Sequence, residues 1–223
     1  NGRRVQAQKT LRVDLALDPI NNDPELVGRE IQNHLSAAGI REHRCVVCLP
    51  VKRVLTLGID LPELAEADVQ DYIDVQAERA FPFAPDDLVI ATSRYRSRSG
   101  SQGALLAAVP QHHISALLKA LQAARLRPVA ILAGIATLVA ESPQSEGEVT
   151  LTVGERGAEF AVSIDRSIVA LRAIDALHGE DAASEQIDVD EIARQLRITI
   201  GQLPEGVREA VRTVRVFGRD SLI

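Results

Sequence analysis

The hydrophobic positions of the chain switch repeatedly between a period of two and a period of about 3.6, which predicts strands alternating with helices. Residues 3–18 alternate apolar and polar side chains and predict a strand or hairpin ending at Asp18 and Pro19. Asp23 followed by Pro24 supplies a helix N-cap and a proline at the first helical position. Val27, Ile31, Leu35 and Ala38 then keep helical spacing until Gly39 stops the helix. The continuous apolar run Arg44–Leu49 reads as a buried strand. Leu55, Leu57, Ile59 and Leu61 share one face of the next strand, and Pro62 turns the chain into an acidic helix. Val69, Tyr72, Ile73, Ala77 and Ala80 form the single apolar stripe of that helix, which ends at Phe81, Pro82 and Phe83. Two further strands, Leu88–Arg96 and Ala104–Val109, flank a polar loop of turn residues.

A second amphipathic helix carries Ile114, Leu117, Leu118 and Leu121, and residues 128–140 predict a buried strand followed by a short helix. Residues 142–147, rich in Ser, Glu, Pro and Gly, mark a boundary. Beyond it lie three short strands at 149–154, 158–165 and 167–174, a helix at 189–203 with Ile192, Leu196 and Ile200 in register, and a strand at 213–217. Both ends of the chain thus read as strands in hairpin order, then a helix, then a strand, which is an internal duplication around a strand-helix-strand-strand insert.

Composition narrows the function. The chain has 223 residues, 46% of them hydrophobic, enough to bury a core, and it has no Trp and only four Phe, so that core is aliphatic. A formal charge of −6 argues against a nucleic-acid backbone, which needs clustered Lys and Arg. No apolar run approaches the roughly 20 residues of a membrane span. The chain begins at Asn1 and contains no Met, and it is read as a piece of a longer protein.

Candidate chemistry is sparse. Cys45 and Cys48 form one CxxC inside an apolar strand, where residues three apart face opposite sides, so two buried free thiols in a reducing compartment are expected over redox or zinc chemistry. His112 and His113 are adjacent at a helix start and should diverge as exposed polar residues; metal binding is the competing reading. Asp68, Asp71, Asp74 and Glu78 are either a solvated helix face or an acidic docking surface. Arg94, Arg96 and Arg98 share one strand face, either as an ordinary exposed hairpin or as a contact for an acidic partner or lipid headgroup. No Walker, HExxH or GxSxG string occurs.

Three linked stretches carry a family resemblance: residues 45–62, the helix ending in Pro82, Phe83, Asp86 and Asp87, and residues 103–131. Together with the duplicated plan, they resemble the type IV pilus assembly protein PilM family and the related type II secretion GspL family. The resemblance spans most of residues 1–174 and, more loosely, the C-terminal helix and strand. It implies an α/β, actin-like (ribonuclease H-like) duplicated fold in truncated form, as modified by the strand-helix-strand-strand insert of the cell-division protein FtsA. The implied division is a first subdomain at 1–50 and 112–145, an insert at 51–111 and a second subdomain at 146–223.

PilM-like proteins resemble actin in holding ATP through hairpin turns that cradle phosphates, with an acid beside them to position the metal. The resemblance puts the first such turn before Asn1. It puts the second, of the form Asp-x-Gly-x-x-x-Thr, at 152–158, where Gly154 is in place but Thr152 replaces the acid and Ala158 the hydroxyl. The adenosine-side turn should carry paired glycines, and Gly218 is followed by Arg219. The expectation is therefore a non-enzymatic adaptor without a cofactor, at the cytoplasmic face of a bacterial inner membrane. Its implied partners are a PilN-like N-terminal tail or a motor ATPase. Contact with the membrane would be indirect or through an anchor of the parent chain, and a homodimer is a further arrangement. Leu55, Leu57, Leu61, Tyr72, Phe81 and Phe83 are candidate pockets for an extended peptide, or else the insert's own core, with Arg94 and Arg96 as polar contacts. The alternatives are a PilM-like protein whose ATP–Mg site is completed by the missing N-terminus, and a sugar-kinase-like enzyme of the same superfold.

Overall fold

The computed structural model describes residues 8–97, 99–141, 147–154, 157–175 and 189–218. It divides into two compact units, one formed by the chain up to Val47 with Pro110–Ile131, the other by Cys48–Val109 with the chain from Leu132 onward.

In the first unit, α1 (Pro24–Ala37) opens where the Asp23 carboxylate accepts from the N–H groups of Glu25 and Leu26 at 3.0 and 3.1 Å, satisfying donors that a helix end leaves orphaned. Gly39, at φ +66°, ends it in the left-handed region that suits glycine. α1 packs on α3 (Gln111–Ala123) through Gly28, whose missing side chain lets the helices close: a Cβ there would lie 2.5 Å from the Ala120 carbonyl oxygen. Strands β1 (Arg44–Leu49) and β5 (Arg127–Ala133) pair as a two-stranded sheet.

Two expectations fail in this unit. Residues 8–18 form no strand, and residues 3–7 lie outside the described residues. An alternating pattern needs a partner strand, and none of the described strands pairs with this segment. The Glu30 carboxylate accepts from the Ala16 and Leu17 N–H groups at 2.6 and 3.3 Å, while Leu11 and Val13 stay about 40% exposed. The hairpin expected in the first repeat is therefore absent among the described residues. Nor are the cysteines buried: both are free, Cys45 half-buried and Cys48 exposed. A two-stranded sheet leaves one face open, and Val46 and Cys48 point there while Leu49 points inward.

The second unit contains the insert. Strand β2 (Leu55–Leu61), helix α2 (Glu66–Ala80), strand β3 (Leu88–Arg96) and strand β4 (Gln102–Pro110) form a three-stranded sheet in the order β2-β4-β3 with α2 on one face. β4 is central and buried on both sides, which is why its run Ala104–Val109 is continuously apolar rather than alternating. Ala104, Leu106 and Ala108 meet Val69, Ile73 and Ala77 of α2, whereas Leu105 points the other way, into a cluster with Val51, Ile135 and Leu171. Ala80, expected on the α2 stripe, is exposed at the helix end.

After α4 (Gly134–Ala140) comes a four-stranded sheet, β8-β7-β6-β9, built from β6 (Gly147–Gly154), β7 (Gly157–Ile164), β8 (Ser167–Asp175) and β9 (Val211–Phe217). β6, β7 and β8 are consecutive antiparallel hairpins, and β9 returns parallel to β6 after α5 (Val189–Gln202) and the single turn α6 (Glu205–Arg208). One sheet face buries Val149, Leu151, Phe160 and Val162 under Ile192, Leu196 and Ile200 of α5. The opposite face carries a charged pair in the interior, where Glu148, 2% exposed, meets Arg215 at 2.9 Å and accepts from the Thr150 hydroxyl at 3.0 Å. Arg215 also donates to the Leu138 carbonyl at 2.5 Å and lies 5.0 Å from the Phe217 ring centroid.

Candidate functional site

The phosphate-type turn expected at 152–158 is the β6–β7 hairpin, and its tip at 155–156 lies outside the described residues. Thr152 pairs with Glu159 across the ladder, and its hydroxyl donates to the Glu159 carbonyl at 3.3 Å. Ala158 is 3% exposed, its methyl packed into the α5-side core. Gly154 pairs with Gly157 at the hairpin end. Gly218 is exposed directly after β9, and Arg219 lies outside the described residues. At those two positions the side chains are thus a hydroxyl engaged across the hairpin and a buried methyl, neither of them a carboxylate. Among the described residues a carboxylate nearby is Glu159, which sequence reasoning missed. It accepts from the Val51 N–H at 2.7 Å, and burial pushes its pKa up against the lowering effect of that bond and of Lys52. No local signal marks it, since its partner is 108 residues away.

The candidate peptide-binding residues fall mostly inside the insert. Leu61 and Phe81 are buried in its core, and Leu55, Leu57 and Tyr72 pack half-buried against that core, so these side chains contribute to the insert's own packing. Phe83 is 37% exposed at the edge. Asp68, Asp71, Asp74 and Glu78 are exposed along α2. His112 and His113 do not diverge; their rings meet edge to face with centroids 4.3 Å apart. Among the described residues no three His, Cys, Asp or Glu side chains gather as metal ligands.

Arg94 finds an acidic partner within the chain. Its guanidinium donates to both Glu66 oxygens, at 2.5 and 2.9 Å, tying the end of β3 to the first turn of α2. That fork holds the Glu66 carboxyl below its ordinary range. Arg96, two residues on, is exposed and has no ion-pair partner among the described residues, and Arg98 lies outside them.

Arg94 and Arg96 border a cleft of about 250 Å³. Leu61 and Gln102, paired in the β2–β4 ladder, line it together with Tyr95 and with Ile164, Asp165 and Ser167 of the β7–β8 turn. The turn is a two-residue loop, with Asp165 at φ 48° and Arg166 at φ 66°, the backbone form in which Asn-Gly is usual. Tyr95 is seated because Gly103 has no side chain: a Cβ there would come within 2.5 Å of the ring's Cζ. The ring packs against a cluster of Ile164, Val169 and Val207, and burial, with the Asp60 charge adding to it, pushes its phenol up, so it stays protonated as a hydrogen-bond donor. The Ser93 hydroxyl accepts from the Ile168 N–H at 2.8 Å and fixes β3 beside β8.

No protein-family model matches the chain, and no curated protein matches it. Solved structures do. A chain of the PilM–PilN type IV pilus biogenesis complex superimposes with a TM-score of 0.63, at 19% identity, over 96% of this chain and 82% of that one. The cytoplasmic domain of EpsL, an inner-membrane component of the type II secretion system of Vibrio cholerae, superimposes at 0.51 with 14% identity over 87% of this chain and 72% of that one. The chain has the actin-like fold of these assembly proteins. A Bacteroides thetaiotaomicron protein with actin-like ATPase fold and unknown function aligns at 0.42, with 8% identity over 97% of this chain and 82% of that one.

Proposed function

We propose that the chain is an adaptor of a type IV pilus or type II secretion assembly platform, acting at the cytoplasmic face of a bacterial inner membrane and holding neighbouring assembly proteins without turning over nucleotide. The observation that carries this reading is the superposition on a chain of the PilM–PilN complex over 96% of the residues. Thr152 and Ala158 support the second half of it, since one hydroxyl is engaged across the hairpin and the other position is a buried methyl. No helix among the described residues is long and apolar enough to cross a membrane, so this part of the chain reaches the platform through a partner or through another segment.

Affinity capture of the tagged full-length protein from its native cells tests the first half: pilus or type II secretion platform proteins are expected in the eluate, and their absence under conditions that retain such complexes overturns the reading. A thermal melt with and without Mg-ATP tests the second. A ligand at 100 times its Kd adds about 2.7 kcal/mol to the folded state. No shift at millimolar ATP is expected, and a clear rise would establish an ATP-binding protein instead.

A further inference from the structure

We propose that the end of the two-stranded sheet at which β1 and β5 both begin is a contact surface for an anionic phospholipid bilayer, with Arg44 and Arg127 at its centre. This takes its membrane location from the adaptor reading, on which it rests, and adds a direct surface contact to the partners named there.

The arrangement follows from one hydrogen bond. The Arg127 N–H donates to the His43 carbonyl at 2.6 Å, joining the residue before β1 to the first residue of β5. The two strands therefore start at the same end and run parallel, and this register sets Arg127 beside Arg44 and, two residues on, Val129 beside Val46. Exposure agrees with it. Val46 and Val129 are 52% and 54% exposed, so both stand on the open face, and alternation puts the two exposed arginines there as well. Neighbouring strands lie about 4.8 Å apart, so the arginines start the two strands as a close pair. The His43 ring donates from Nδ1 to the Arg125 carbonyl at 3.1 Å and ties together the segments that lead into both strands. Those segments add Arg41 and Arg125, both exposed.

Charge and shape decide the ligand. None of these four arginines has an ion-pair partner among the described residues. Nearby acids are engaged elsewhere: Asp23 caps α1, Glu25 pairs with Arg29, Glu30 accepts from the Ala16 and Leu17 N–H groups, and Glu42 accepts from the Arg41 N–H. The first unit holds ten Lys and Arg against six Asp and Glu, whereas the second holds 15 against 25, so positive charge is concentrated in one part of an acidic protein. Guanidinium groups suit phosphate oxygens, and an anionic leaflet attracts arginines held at its surface. The cations stand on an open face rather than inside a groove, and the next row along the strands is the uncovered pair Val46 and Val129. A row of cations beside an apolar row matches the phosphate layer and the apolar boundary beneath it, whereas an acidic peptide bound to the arginines alone would leave the valines bare.

The test is co-sedimentation of the full chain with phosphatidylcholine vesicles carrying increasing fractions of phosphatidylglycerol. Binding should rise with the anionic fraction and weaken as salt is raised. Each arginine at the surface is worth about fivefold in affinity, so Arg44→Gln with Arg127→Gln should weaken binding roughly 25-fold, while Arg44→Lys with Arg127→Lys should retain most of it. Arg197→Gln, in the second unit, should bind like the wild type, and a thermal melt confirms that each variant is folded. Binding that ignores the anionic fraction, or that Arg197→Gln weakens as much as Arg44→Gln does, overturns the surface. Capture of platform proteins without vesicle binding overturns the lipid contact and leaves the adaptor; vesicle binding without platform proteins supports the contact and overturns the adaptor. Vesicles ignored, together with a captured protein lost in the double Gln variant, overturns the lipid in favour of an acidic protein partner.

Discussion

Gly103→Ala probes the packing that seats Tyr95 beside the cleft. A methyl built on Gly103 would lie 2.5 Å from the Tyr95 Cζ and 2.9 Å from the Ile59 carbonyl oxygen, both inside the range that real contacts avoid. Inserting a methyl into such a site costs about 1–3 kcal/mol, while the loss of glycine's freedom in the unfolded chain returns about 0.4–1 kcal/mol. The net expectation is a loss of about 1–2 kcal/mol. With a urea slope of about 2 kcal/mol/M, the midpoint falls by about 0.5–1 M. The assay is convenient because the chain has no Trp and its two tyrosines, Tyr72 and Tyr95, both lie in the insert, so tyrosine fluorescence reports this unit. In a Tyr95→Leu background the methyl meets no ring, and most of its cost should disappear; only the backbone contact with Ile59 remains. A coupling below about 0.5 kcal/mol between the two substitutions, or no loss from Gly103→Ala alone, would refute the account of why a glycine stands there.

Other consequences follow from the same contacts. Arg215→Ala should cost about 3 kcal/mol in urea denaturation, the low end of what breaking a buried pair costs because Arg215 is partly exposed; Glu148→Leu with Arg215→Met should restore most of it, and a loss as large in the double variant would contradict the reading. Glu159 carries a raised pKa in the fold, so the folded state holds its proton more firmly than the unfolded one. Its contribution should therefore improve stability as pH falls from neutral toward the ordinary carboxylate range, and Glu159→Gln should flatten that part of the melting-temperature profile. Glu66 and Glu191 have lowered values and act in the opposite sense at lower pH, so the comparison with Glu159→Gln is what isolates the effect. A thiol reagent applied to the native protein should modify Cys48 well before Cys45, and equal slow reaction of both would restore the buried strand expected from the sequence.

The order of elements was legible in the sequence because it is written in short-range signals. Asp23-Pro24 and Gly39 bracket α1, the even spacing from Leu55 to Leu61 gives β2, and the unbroken apolar run of β4 announces a strand covered on both faces. Thr152 and Ala158 could be assigned to a hairpin for the same reason, since the turn between them is local. Such signals fix a period and where it stops. They do not say what lies on the other side of a face. β1 reads like a buried strand, and only its solitary pairing with β5 leaves Val46 and Cys48 exposed; residues 8–18 alternate like a strand and form none, since no described strand pairs with them. Phe81 reads from the sequence as a groove residue, and only the packing of the insert buries it in the core with Ile73 and Ala77 of α2. Likewise Arg94 and Arg96 are equivalent by alternation, and tertiary packing alone pairs Arg94 with Glu66 and brings both beside a cleft lined by the β7–β8 turn, some 70 residues downstream. Periodicity is a property of neighbours along the chain, whereas coverage, pairing and clefts depend on which distant segments meet.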